Sequence, residues 1–114
     1  MSAYPRRAVI LKGATLPVGT TYYDSPQISY APMGRLILGY QFASSGGGTL
    51  SIAIEHKSPD GQTWIAPTDS ELVSDASAGS VIDSYLVTWG TSIRWKITVS
   101  TAELQDVYVW VELA

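Results

Sequence analysis

The chain has 114 residues, 46% of them hydrophobic and only 15% charged, with a formal net charge of −3. That length suits one domain around one core; the apolar content excludes disorder, and a charged fraction below the usual ~25% leaves a sparsely solvated surface. The negative balance argues against nucleic acid as a partner, and the absence of cysteine excludes disulfides, thiolate metal sites and cysteine nucleophiles.

Residues 1–6 read as an N-terminal arm and residues 7–114 as the single folded domain. The segment SAYPRRAVILKG gathers Arg6, Arg7 and Lys12 in an otherwise acidic chain. It is either a solvated tail or a basic arm laid on a neighbour's acidic surface, where arginine contacts carboxylates two-pronged. Its apolar run, AVIL, is too short for a signal peptide, and no run approaches the ~18–20 residues of a membrane helix. Synthesis in the cytoplasm and no membrane partner are expected.

Beyond the arm, apolar residues alternate with polar ones in short runs rich in β-branched and aromatic side chains. The runs predict strands over Arg7–Leu11, Thr20–Tyr23 with Gln27–Tyr30, Arg35–Ser44, Thr49–His56, Thr63–Ala66, Val81–Trp89, Ile93–Ser100 and Val107–Leu113. No window carries a helical stripe; STAELQDV allows at most one turn near Ser100. About seven or eight short strands without helices define an all-β chain, a single-domain antiparallel β-sandwich of jelly-roll or Ig-like type.

Alternation also assigns faces. Leu36, Leu38, Tyr40 and Phe42 share one face, as do Leu50, Ile52 and Ile54, then Tyr85, Val87 and Trp89, then Ile93, Trp95, Ile97 and Val99. Val107, Val109, Val111 and Leu113 form the last inward row, while Ser51, Ala53, Glu55, Arg94, Lys96 and Thr98 point out. The SPDG at Ser58–Gly61 is turn chemistry: proline presets φ, aspartate tolerates the third position and glycine takes a positive φ. The SSGGG at Ser44–Gly48 is a hairpin connection and not a phosphate cradle, because no helix with a Lys-Ser/Thr pair follows.

Catalytic and metal chemistry find little support. His56 is the only histidine; without a serine and an orienting acid it reads as a strand-end surface residue, and alone it cannot build a zinc site. The stretch 68–83, TDSELVSDASAGSVID, reads as a solvated acidic loop. Its carboxylates at Asp69, Glu71, Asp75 and Asp83 lack the regular calcium-loop spacing, and a loop this long also suits contact with a partner. No catalytic residue, cofactor site or metal site is assigned, and the chain reads as no enzyme.

The aromatics say more. Trp64, Trp89 and Trp95 fit core or sub-core positions, whereas Tyr108 and Trp110 lie opposite the valine row and face out; Tyr22 and Tyr23 add aromatic surface near the N-terminal third. Outward rings stack on a sugar, pack under a loop or bury against another subunit. Burying one Trp and one Tyr removes ~300 Å², worth about 7 kcal/mol gross at ~25 cal/mol/Å². Association costs about 4–15 kcal/mol, so one patch binds weakly, and the same patch repeated around a ring binds tightly.

The hairpin LSIAIEHKSPDGQTW, the run SIRWKITVS and the closing VYVWVEL together resemble small all-β structural proteins of tailed bacteriophages, most of all capsid decoration (cement) proteins; the likeness spans about Arg35 to Ala114. The resemblance implies a sandwich or jelly roll, a homotrimer on the exterior of a virion, made in the host cytoplasm. Its partners would be its own copies and the major capsid protein, and its work would be to stabilise the shell. Arg6 and Arg7 are then expected to touch the shell, Tyr108 and Trp110 to pack subunits, and Tyr22 and Tyr23 to lie at a partner interface. The alternative is a carbohydrate-binding or adhesion module whose outward rings stack on sugars, with Asp69, Glu71 or Asp75 holding calcium; a phage tail or connector subunit is the third reading.

Overall fold

A run that alternates apolar and polar residues can bury one face only if a second such surface covers it, so paired sheets follow from the pattern. The computed structural model describes residues 7–24, 33–44, 46–58, 60–66, 70–87 and 93–113. They form nine strands: β1 (Arg7–Leu16), β2 (Gly19–Asp24), β3 (Met33–Ser44), β4 (Thr49–Lys57), β5 (Trp64–Ile65), β6 (Glu71–Ala76), β7 (Ser80–Val87), β8 (Ile93–Ser100) and β9 (Leu104–Leu113). The first sheet runs β1-β9-β3-β7 and the second β2-β8-β4-β5, with β6 also paired to β4. Every pairing is antiparallel, and the two sheets make the expected sandwich.

The predicted inner rows meet in one core. Leu38 and Tyr40 of β3, Leu50, Ile52 and Ile54 of β4, Trp95, Ile97 and Val99 of β8, and Val107, Val109 and Val111 of β9 are all buried. Phe42 and Ile93 pack against them half-buried. The residues at 27–30 and Trp89, and the side chains of Leu36, Tyr85, Val87 and Leu113, lie outside the described residues. Among the described residues no polar or charged residue is buried. Among those residues one buried side-chain polar atom, Trp95 Nε1, has no hydrogen-bond partner, a penalty of about 1–3 kcal/mol set against the burial of a whole indole.

Three departures from the sequence reading have physical causes. First, part of the acidic stretch is the strand β6, which pairs with β4 and buries Val73; its irregular register, shifted between Leu50 and Ile52 and again beside Ala53, breaks the alternation that would have announced it. Second, β1 continues beyond Leu11 to Leu16, because Gly13 at φ 64 and successive register shifts let the strand bulge and resume pairing. Third, β9 begins at Leu104 rather than at Val107, and Thr101 before it takes φ 77. At the SPDG turn the Gly61 amide donates to the Ser58 carbonyl over 2.9 Å and Gly61 takes the expected positive φ, 75, while Pro59 lies outside the described residues.

His56 ends the inner row of β4, registered with Ile93 and Ile65, and is half-buried rather than a free surface group. Burial lowers its pKa from the ordinary value of 6.5. Its proton therefore binds the unfolded chain more readily than the folded one, so its contribution to stability is present above the unfolded pKa and is lost as pH falls through the folded one. The melting temperature should drop between about pH 7.5 and about pH 5.5, and His56→Gln should flatten that drop. Equal pH slopes for the two proteins in thermal melts would contradict this placement.

Candidate functional site

The outer face of the second sheet collects the chain's polar chemistry in rows. The strand β8 sends out Arg94, Lys96 and Thr98, and its neighbours β2 and β4 answer in register. Asp24, Arg94 and Glu55 form one row; Tyr22, Lys96 and Ala53 the next; Thr20, Thr98 and Ser51 the third. Thr20 and Thr98 share a hydrogen bond between their hydroxyls at 3.0 Å. At the far edge the SPDG turn brings Trp64 of β5 opposite Lys57. That turn is pinned by the Ser58 amide donating to the Thr63 carbonyl at 2.7 Å and by Asp60, which accepts from the Ser58 hydroxyl and the Gln62 amide. These two hydrogen bonds, the hydroxyl first, hold the Asp60 carboxyl below its usual pKa.

Arg94 is the centre of this face. Its Nε donates to Glu55 Oε1 at 2.6 Å, with only 22% and 14% of the two side chains exposed. Its guanidinium carbon lies 4.1 Å from the centre of the Tyr22 ring and 4.4 Å from that of Trp64, so one planar cation is held between two aromatic rings. Lys57 Nζ adds a second cation 5.1 Å from the Trp64 ring. Cation–π contacts contribute about 0.5–2 kcal/mol each, more as water is excluded, and guanidinium stacks better than ammonium. The row Tyr22–Arg94–Trp64 is therefore ordered before any ligand arrives, while Tyr22 stays 46% exposed.

The residues singled out from the sequence fall in different places. Tyr22 belongs to this face; Tyr23, one residue on, points the other way, registers with Trp95 and packs against the core. Tyr108 and Trp110 do face outward, on the other sheet. There Trp110 lies across Gly39 of β3, and the hydroxyl end of the Tyr108 ring reaches beside Gly13 of β1, which stays exposed. Arg7 pairs with Glu112 at 3.3 Å on that same sheet, with 62% and 31% of the side chains exposed, a contact worth about 0–1 kcal/mol. Arg6 and Asp69 lie outside the described residues. Glu71 is exposed on β6, and Asp75 bonds to Ser51, its amide donating to the hydroxyl at 3.0 Å. Among the described residues no group of three or more His, Cys, Asp or Glu side chains is placed to hold a metal ion.

Arg94, Glu55 and Trp64 escaped the sequence reading as site residues. Alternation already placed Arg94 and Glu55 outside, and the SPDG hairpin doubles back to set Trp64 over that face. The missing signal was cross-strand register, without which three outward residues on three strands have no common address.

No protein-family profile matches the chain, and no curated protein matches it. Among solved structures it is similar in shape to the C-terminal CBM6 of LamC, a marine laminarinase from Zobellia galactanivorans, with 14% identity, 96% of this chain and 93% of that chain covered, and a TM-score of 0.44. A family 16 carbohydrate-binding module has 13% identity, 98% and 85% coverage and a TM-score of 0.44. The CBM6cm-2 module of Cellvibrio mixtus lichenase 5A, solved with cellotriose, has 15% identity, 89% and 71% coverage and a TM-score of 0.36. Values this low say nothing of what the present chain binds.

The glycine under Trp110 supplies a direct check. A Cβ at Gly39 would fall 2.0 Å from Trp110 Cε2, and only the ring forbids it, because Gly39 is not among the positive-φ glycines. Gly39→Ala should cost about 1–3 kcal/mol in denaturant melts and red-shift tryptophan emission as the indole lifts away. Unchanged stability and emission would mean that the ring rests elsewhere.

Proposed function

We propose that this chain is a non-catalytic β-sandwich module that binds a neutral, extended oligosaccharide on the outer face of its second sheet. One observation carries the reading: Arg94, fixed by Glu55, lies against both the Tyr22 and the Trp64 rings in a row across strands β2, β8, β4 and β5. Sugars present apolar C–H faces and rings of hydroxyls, and aromatic faces beside planar hydrogen-bonding groups complement both. Lys96, Thr98 and Ser51 extend the donors and acceptors along the face, and Ala53 leaves a low floor between them. Because the side chains are already ordered, binding avoids about 0.5–1.5 kcal/mol of ordering cost for each. The net charge of −3 disfavours an acidic polysaccharide.

A panel of neutral gluco-, xylo- and manno-oligosaccharides tested by titration calorimetry checks the reading. Binding of at least one class is expected, with Tyr22→Ala and Trp64→Ala each weakening it about tenfold or more, which is about 1.4 kcal/mol. Val81→Glu, on the opposite sheet, should leave affinity unchanged. No binding across the panel, or loss with Val81→Glu alone, would overturn the assignment.

The second reading, a virion decoration protein, draws on the apolar outer face of the first sheet, where Tyr108 and Trp110 lie with exposed Val9 and Val81. Saturable, symmetric decoration of shells that lack the protein would support it.

A further inference from the structure

The outer face of the first sheet carries a line of small and apolar residues that crosses all of its strands. Val9 of β1 registers with Trp110 of β9, Trp110 with Gly39 of β3, and Gly39 with Val81 of β7. Val9 is 49% and Val81 57% exposed, and the indole between them covers the glycine. Ile37, half-buried, widens the line on one side, and Tyr108, still exposed, widens it on the other. Single exposed valines are ordinary on a protein surface; a register-aligned row with an indole at its centre is a coherent patch.

The row has the same residue at both ends, and that symmetry names its occupant. We propose that the face is covered by a second copy of this chain, turned about a two-fold axis that runs along the strands between β9 and β3. That operation lays Val9 of one copy on Val81 of the other, twice, and brings the two indoles together beside the axis. A self-complementary face of this kind closes a dimer; a trimer would require two different patches. Four strands spaced ~4.8 Å apart and about seven residues long give roughly 450 Å² per copy, or about 900 Å² per pair. Stable interfaces bury about 1,200–2,000 Å², so this pair is weak and forms only at high protein concentration. The oligosaccharide face lies on the opposite sheet, and neither proposal rests on the other.

Sedimentation velocity of the whole chain between about 5 µM and about 500 µM tests the dimer, because mass action pulls the weight-average mass upward with concentration. The mass should climb from that of one chain, 12.3 kDa, towards twice that value. V9K alone and V81E alone should stay at the mass of one chain throughout, and both sites are exposed enough that circular dichroism should show an intact fold. Mixing the two variants should restore association, because the lysine of one would meet the glutamate of the other. A wild-type mass that never rises, a mass that settles at three copies, or a mixture that stays monomeric would each overturn the proposal.

Discussion

The constraint on which everything else rests is an interior that holds no charge. Two sheets meet through rows of Leu, Ile and Val with Ala8, Tyr40 and Trp95, and no polar or charged residue among those described is buried. Placing an unpaired charge in such a core would cost several kcal/mol. Among the described residues the carboxylates, lysines and arginines on strands are therefore confined to the two outer faces, with His56 half-buried at the end of an inner row, and strand register decides which of them become neighbours.

The two outer faces resolve that confinement differently. On the second sheet a cation is neutralised by Glu55 and shielded by two aromatic rings, which produces an ordered polar surface. On the first, Trp110 lies across Gly39 and the end of the Tyr108 ring lies beside Gly13, which produces a smoother apolar surface. The same residue class serves two ends, and the neighbours supplied by register set which one. An ordered polar face suits a hydroxylated ligand, and an apolar face with the same residue at both ends suits a copy of itself.

Much of the fold was legible in the sequence, because period two survives throughout β4 and β8, and in β3 and β9 apart from one bulge where Asp106 takes φ 52. The inward rows of those strands follow from counting. Where a strand bulges, counting fails: β6 hid inside an acidic stretch because its register shifts twice, and β1 outran its expected end by bulging at Gly13. The site was less legible. Tyr22 could be named, yet its neighbour Tyr23 could be sent inward only by knowing that Thr21 and Tyr23 register with Ile97 and Trp95. Trp64 read as core or sub-core, whereas the turn at Ser58–Gly61 places it half-buried beside Lys57 and Arg94. Contacts between strands far apart in sequence, such as Glu55 with Arg94, need the pairing of β4 with β8 before they can be seen.

The most direct measurement is the nitrogen–proton resonance of the Arg94 side chain in solution at neutral pH. A guanidinium bonded to Glu55 and held between two ring faces should give a distinct Nε–Hε signal, slow to exchange and displaced upfield by the rings. A signal averaged to the position of a free arginine, or exchanged away with solvent, would contradict the ordered row at the centre of this account.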